Sequence, residues 1–421
     1  MEFTTLALLL AQIAAILLVS RALGLVTRWL GQPMVIAEMV AGIVLGPSLL
    51  GLLWPHAFGT LFPSTSLPVL KMLSQLGLVL FMFLVGLELD PALLRGRRRA
   101  SVLISHASIA LPFALGVGAA WWLRDQYSPK NVAFLPFALF LGTAMSVTAF
   151  PVLARILTER GLLQSRVGAI AIACAAVDDV TAWCLLAFVV AVARAHAMTD
   201  ALWTAGLAAL FSLFMLFVTG PVLRRLSARN PEPGAPTPSS IAGVLFLLLV
   251  SSAITEAIGI HALFGAFLFG AVFPKDSGLT KALAAKLESV AVLLLLPLFF
   301  AYSGIRTQLG LVSGASQWLV VAAIIGLATL GKFGGSALAA RLSGMRWREA
   351  SAIGVLMNTR GLMELIVLNV GMDLGVITPA MFTMLVIMAL ATTFATTPIL
   401  HWVYPDRELL RETDGALLTR P

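Results

Sequence analysis

The stretch Gly142-Thr-Ala-Met-Ser-Val-Thr-Ala-Phe-Pro151 lies in the middle of an apolar segment and interrupts it. Its proline lacks a backbone N–H, so an α-helix cannot run through it undisturbed, and hydroxyl side chains cluster just before it. A second stretch, Met357-Asn-Thr-Arg-Gly-Leu-Met-Glu364, interrupts another apolar segment with an arginine, a glycine and a glutamate. Both stretches predict broken helices, although two ordinary kinks at proline and glycine would leave the same pattern.

The composition of the chain is that of a membrane protein. Of its 421 residues, 59% are hydrophobic and 11% are charged, and the net charge is +8, whereas soluble proteins carry about 25% charged residues. A water-soluble globule is therefore excluded. The basic residues fall in short loops, so their excess does not indicate nucleic-acid binding. Cys174 and Cys184 share one apolar segment, and they predict neither a disulfide framework nor a zinc site. No cofactor is expected.

The apolar segments predict the number of membrane spans. A spanning helix needs about 20 mostly apolar residues, because the hydrocarbon core is about 30 Å thick. This criterion predicts an all-α polytopic membrane protein with about 13 spans. They are 4–20, 33–51, 69–88, 101–123, 133–158, 165–194, 201–223, 240–257, 260–273, 288–305, 317–340, 350–371 and 379–402. The ninth, 260–273, is short enough to be tilted or merged with its neighbour.

The distribution of basic residues predicts the orientation of the spans. One alternate set of loops holds most of the 28 Lys and Arg residues. The other set holds only Arg124, Lys130, Arg194 and Arg306. Because cytoplasmic loops carry the excess of Lys and Arg, we expect a multi-pass protein of the cell (inner) membrane. Its N-terminus would lie outside and its C-terminus in the cytoplasm.

Two pairs of similar segments indicate an inverted repeat. Residues 37–47 of span two resemble 261–274 of span nine, and residues 80–90 of span three resemble 298–308 of span ten. Both pairs lie seven spans apart, and an odd offset turns the second copy upside down in the membrane. We expect residues 1–421 to form a single membrane transport domain. In chain order it would consist of repeat one (about 1–195), a linker helix (about 201–226), repeat two (about 240–403) and a short cytoplasmic tail (404–421).

A few charged residues fall deep inside predicted spans, where a charge costs at least a few kcal/mol and usually serves a function. Asp178 and Asp179 are adjacent in span six and point about 100° apart around a helix, so they cannot face one neighbour. Lys332 in span eleven is the expected partner of one of them. The other acid would hold either a proton or a metal cation, which is the minimum chemistry of an exchanger. A static ion pair with Lys332 is the alternative.

The broken spans five and twelve occupy corresponding positions in the two repeats. Broken helices in matching positions indicate a transport site, because their freed carbonyl groups and helix ends can face ions. Thr148 and Ser146 would add side-chain oxygens there. Arg360 and Glu364 lie four residues apart, and we expect them to neutralise each other or the half-helix dipoles.

These residues resemble the monovalent cation/proton antiporter superfamily. The likeness is carried by residues 32–51, 76–90, 150–155, 178–179 and 357–369. Within the superfamily, the sequence is similar to the second branch. This branch includes bacterial sodium/proton and potassium/proton exchangers, glutathione-gated potassium efflux systems and plant cation/proton exchangers. The resemblance implies that Asp179 carries the ion and the proton, that Asp178 pairs with Lys332, and that more than one proton crosses per cation.

The resemblance also implies a homodimer in the lipid bilayer, with spans 1–3 and 8–10 as a fixed panel and spans 4–6 and 11–13 as a moving core. Because the chain ends soon after span thirteen, regulation by an attached nucleotide-binding domain or a long tail is not expected. The predicted protein is not an enzyme but a secondary-active antiporter of Na+ or K+ and protons. The alternatives are a sodium-coupled organic-anion symporter, in which Arg360 would bind a carboxylate, and a cation channel, whose carbonyl-rich filter the sequence lacks.

Overall fold

A computed structural model describes residues 5–88, 98–162, 165–195, 198–229, 237–275 and 278–405, and within these ranges the chain is helical, without a strand. The helices are α1 (Thr5–Trp29), α2 (Met34–Leu45), α3 (Leu50–Leu53), α4 (Pro55–Leu61), α5 (Leu67–Glu88), α6 (Arg98–Tyr127), α7 (Phe134–Ser146), α8 (Phe150–Glu159), α9 (Arg166–Arg194), α10 (Met198–Phe214), α11 (Gly220–Arg229), α12 (Pro238–Ile258), α13 (Ala262–Val272), α14 (Gly278–Val290), α15 (Leu296–Arg306), α16 (Ala315–Leu342), α17 (Trp347–Met357), α18 (Leu362–Asp373) and α19 (Pro379–Val403).

Three short turns complete the helical structure. A π-helical turn, Met215–Thr219, joins α10 to α11, and a second, Ala291–Leu295, joins α14 to α15. A 3-10 turn, Leu309–Leu311, follows α15. The predicted cytoplasmic tail lies outside the described residues from 406 onward.

The described helices establish an all-α, multi-pass membrane protein. Eleven helical runs are long and apolar enough to cross a membrane, and the pair α17 and α18, bent by 41° at its break, makes up to 12. The predicted ninth span corresponds to α13, which has 11 residues, fewer than the roughly 20 that a straight crossing needs. By this criterion the described residues hold eleven or twelve spans, and the thirteenth span and the repeats stay predictions.

The chain divides into two compact units. Unit 1 comprises Met1–Arg21, Ala41–Asp90 and Ala187–Ile305, and unit 2 comprises Ala22–Val40, Pro91–Leu186 and Arg306–Pro421. Unit 1 contains most of the segments that the resemblance assigns to the fixed panel. Unit 2 contains most of those assigned to the moving core, together with residues 22–40, which cover the end of α1 and the first part of span two.

Glycines bring the helices of unit 1 into backbone contact. A Cβ placed on Gly304 of α15 would lie 2.5 Å from the Cα of Gly42 in α2, and a Cβ on Gly86 of α5 would lie 2.9 Å from the Cα of Gly270 in α13. Helices in lipid associate largely through such close packing of small residues. Gly86 and Gly304 also occupy equivalent places in the segments 80–90 and 298–308. Both predicted repeats therefore pack a helix closely at an equivalent glycine.

We expect Gly86→Ala to destabilise unit 1 by about 1–3 kcal/mol, because overpacking forces backbone shifts. The added methyl group would lie 2.8 Å from the Ala271 nitrogen, which cannot turn away as a flexible side chain can. The measurement is the melting temperature of the purified protein in detergent. Gly243→Ala in α12 is the control, since a Cβ there meets no atom within 4 Å. Equal melting temperatures for the two variants would refute the packing argument.

Candidate ion-binding site

Two broken helices of unit 2 meet at their breaks. The first break separates α7 from α8 at residues 147–149, immediately before Phe150 and Pro151 in the first turn of α8. Proline is tolerated at the start of a helix and disfavours helical geometry in the residue before it, so the chain leaves the helix ahead of Pro151. The second break separates α17 from α18 at residues 358–361. The Ala149 N–H donates to the Thr359 carbonyl at 3.1 Å and joins the two breaks.

Side chains bind all four carbonyl groups at the end of α7, those of residues 143–146. The Ser146 hydroxyl donates to the first at 2.9 Å. Arg360 donates from Nη1 to the second at 2.9 Å and from Nη2 to the third at 2.7 Å. The Lys332 ammonium donates to the fourth. The last four carbonyls of a helix have no partner within it, and cations there offset the negative end of the helix dipole. The positively charged side chains of Arg360 and Lys332 therefore fix the end of α7.

Arg360 is held from three directions and is fully buried. Its Nη1 also donates to Glu364 Oε2 at 3.0 Å. The Arg360 N–H donates to the Thr393 hydroxyl of α19 at 3.1 Å, and that hydroxyl donates to the Arg360 carbonyl at 2.8 Å. Both Nη groups are thus engaged within the protein. This geometry does not favour the alternative in which Arg360 binds an organic carboxylate.

We expect Thr393→Val to lower the unfolding free energy by about 1–3 kcal/mol, because it leaves the buried N–H and carbonyl of Arg360 without a partner. Thr392→Val is the matched control, since the Thr392 hydroxyl bonds only to carbonyls of its own helix, at 2.9 and 3.2 Å. Thermal melting in detergent compares the two variants. A Thr393→Val protein no less stable than Thr392→Val would show that this anchor is dispensable.

Asp178 accepts hydrogen bonds from four side chains. Ser105 of α6 donates to Oδ1 at 2.6 Å, and Ser108 donates to Oδ2 at 2.6 Å. The Thr148 hydroxyl donates to Oδ2 at 2.8 Å, and Lys332 Nζ lies 3.1 Å from the same oxygen. The side chains of Asp178 and Lys332 are both 0% exposed. A buried ion pair persists only when further hydrogen bonds satisfy its members, and these hydroxyls meet that requirement.

Asp179 is the second acid of the pair and is also fully buried. It follows Asp178 in α9, so its side chain points about 100° away from the four-donor set. The other predicted ligands contribute in different ways. The Thr148 hydroxyl, bound to Asp178, also lies 3.2 Å from the Met357 carbonyl. Ser146 presents its carbonyl oxygen to Lys332, whereas its hydroxyl turns back into α7.

The sequence prediction omitted Ser105, Ser108 and Thr393. Hydroxyl side chains in apolar helices commonly bond to their own backbone, so their presence alone indicates no site. The available signal was spacing, since Ser101, Ser105 and Ser108 recur at the i, i+4, i+7 positions of one helical face. Over the residues that the structure describes, no cluster of three His, Cys, Asp or Glu side chains forms a metal site.

The architecture and the site together define a class of protein, a polytopic helical membrane protein with a buried charge cluster where two broken helices meet. The sequence profile of the transmembrane sodium/hydrogen exchanger family matches residues 13–403. The chain belongs to this family, within the monovalent cation/proton antiporter superfamily. It is therefore a membrane transporter and not an enzyme.

Individual relatives agree with this assignment, and a solved structure has a similar fold. The chain is 43% identical over 406 residues to the Na(+)/H(+) antiporter NhaS4 of Synechocystis sp., covering 96% of this chain and 99% of that protein. It is 36% identical over 409 residues to K(+)/H(+) antiporter 1 of Saccharomyces cerevisiae, covering 95% of this chain but 47% of that longer protein. The fold is similar to that of the sodium proton antiporter MjNhaP1 from Methanocaldococcus jannaschii, with a TM-score of 0.73, 13% identity, and coverage of 97% and 99%.

Proposed function

We propose that this protein exchanges Na+ or K+ for protons by alternating access, with Asp179 as the residue that carries the cation and the proton. The observation that carries the proposal is a fully buried pair of adjacent acids, Asp178 and Asp179, beside two broken helices in a member of the exchanger family. Asp178 is committed to Lys332 and three hydroxyls. The exchange is therefore assigned to Asp179.

The names of the relatives support both ions as substrates. The Synechocystis relative is named for Na+ and the yeast relative for K+, and each name includes the proton. We accordingly propose both monovalent cations as candidates.

The proposal that the exchange is electrogenic rests on the family resemblance, whereas the buried charges bear on how a cation and a proton compete. Arg360 and Lys332 contribute two positive charges, whereas Asp178, Asp179 and Glu364 contribute three negative charges if all are ionised. One proton or one monovalent cation would neutralise the set, which matches competition at a single carboxylate. If more than one proton replaces each cation, as the family resemblance implies, the two loaded forms differ in charge and the membrane potential biases their movement.

The site is contained within unit 2, which supports transport by movement of that unit as one body. Every side chain of the cluster described above belongs to Pro91–Leu186 or Arg306–Pro421. We propose that a homodimer in the cell (inner) membrane performs this movement. The proposed orientation has the N-terminus outside and the C-terminus in the cytoplasm.

The test is proton flux in proteoliposomes under an imposed pH gradient, with Na+, K+ and Li+ added in turn. Cation-triggered proton flux would support the antiporter and name its ion. Dependence of the flux on an imposed membrane potential would support unequal numbers of protons and cations. Folded protein that gives no flux with any cation would contradict the proposal.

A further inference from the structure

We propose that Asn358 and Thr359, at the break between α17 and α18, supply side-chain oxygens that bind the transported cation together with Asp179. This inference rests on the proposed antiport and adds ligands from the second broken helix. The expectation that Thr148 and Ser146 also supply oxygens near the crossing stays a prediction.

The first observation is a group of buried oxygens that no donor satisfies. Asn358 Oδ1, Thr359 Oγ1 and Glu364 Oε1 are buried and have no hydrogen-bond partner among the described residues. Thr359 is 0% exposed and Asn358 is 8% exposed. Most buried polar atoms in folded proteins are paired. An amide oxygen accepts and never donates, so Asn358 Oδ1 requires either a donor or a cation.

The second observation places these residues near Asp178, the chain neighbour of Asp179 in α9. The Thr359 carbonyl accepts the Ala149 N–H at 3.1 Å. One residue earlier than Asn358, the Met357 carbonyl lies 3.2 Å from the Thr148 hydroxyl, which itself donates to Asp178 at 2.8 Å. The break is therefore separated from the Asp178 carboxylate by a single hydroxyl group.

The first break is a poor cation site by comparison. Carbonyl groups 143–146 at the end of α7 already accept from Arg360, Lys332 and the Ser146 hydroxyl. These carbonyl oxygens are therefore already engaged by donors and are less available to a cation. Ligands for the cation are consequently expected from the other broken helix.

The local field at the second break favours a cation. Asn358 and Thr359 follow the C-terminus of α17, an 11-residue helix, and α18 begins only at Leu362. The C-terminal end of a helix carries partial negative charge. The guanidinium of Arg360, next in the chain, is offset by Glu364 and by two α7 carbonyls.

The test compares variants that lack the side-chain oxygens in the proteoliposome flux assay. We expect Thr359→Val and Asn358→Ala to raise the half-saturating cation concentration at least tenfold and to change the ratio of rates among Na+, K+ and Li+. Thr359→Ser keeps the hydroxyl oxygen and should remain close to the unmodified protein. Thr396→Val is the matched control, because the Thr396 hydroxyl bonds to the Thr392 carbonyl of its own helix at 3.0 Å.

A binding measurement separates this inference from the proposed antiport. A cation that binds the folded protein raises its melting temperature, and the rise grows with the ratio of the cation concentration to the dissociation constant. Thr359→Val and Thr359→Ala should need at least tenfold more cation for the same rise. A cation dependence equal to that of the unmodified protein, in melting and in flux, would overturn the inference. If the unmodified protein binds a cation but moves no protons, the antiport fails, and the melting series alone decides whether these oxygens bind the cation.

Discussion

Asp179→Asn should reduce cation-triggered proton flux to the background of empty liposomes while the protein stays folded. Asparagine has nearly the same size as aspartate, but it can neither ionise nor exchange a proton for a cation. The fold should tolerate the change, because it leaves the four donors to Asp178 in place. The positively charged side chains at the end of α7 are also unaffected.

The measurement pairs flux with melting temperature for Asp179→Asn and for Asp125→Asn. Asp125 is an exposed acid near the end of α6, so its removal tests the loss of a carboxylate away from the site. Flux should vanish only in Asp179→Asn, and both variants should melt close to the unmodified protein. Cation-dependent exchange that persists in Asp179→Asn would remove this residue from the mechanism.

Lys332→Ala should destabilise the protein by about 3–5 kcal/mol, because it strands a buried carboxylate without its cation. The Ser146 carbonyl at the end of α7 would lose its partner at the same time. Ser105 and Ser108 would still donate to Asp178, but neutral hydroxyls cannot replace the charge of Lys332. We also expect the voltage dependence of exchange to change, since one buried positive charge is lost.

A double variant distinguishes the ion pair from a general packing effect. Asp178→Asn combined with Lys332→Met removes both charges and should melt at a higher temperature than Lys332→Met alone, since a missing pair costs less than a broken one. Lys286→Ala, at an exposed lysine of α14, is the control for the loss of a lysine. Unchanged melting and unchanged voltage dependence in Lys332→Ala would count against a role for the pair.

Much of the fold follows from patterns that act locally along the chain. Apolar length marks a spanning helix because lipid offers no hydrogen bonds to the backbone, and Pro151 marks the first break because its ring restricts the residue before it. The limit of this reasoning is α13. Its segment is apolar enough for a membrane span. The helix is nevertheless short, because Gly259 adopts φ 99° before it starts and it ends at Val272.

Most of the site residues that the sequence predicts are charged ones, because a charge inside the membrane costs free energy and is therefore rare. Asp178, Asp179, Lys332 and Arg360 stand out because few charges occur within membrane spans. Ser105, Ser108 and Thr393 do not stand out, because a hydroxyl can satisfy itself within its own helix. Their roles depend on which helices pack against α6 and α19, and that information is distributed over the whole chain.

During synthesis, α7 is complete long before its capping residues exist. Arg360 follows Ala144 by 216 residues, and Lys332 follows Ser146 by 186. At the usual rates of translation, the delay to Arg360 is about 10–40 s. In that interval the carbonyl groups of residues 144–146 lack the partners that they have in the finished protein. The first half of the nascent chain is therefore expected to remain sensitive to proteases until α16 and the break between α17 and α18 have been inserted.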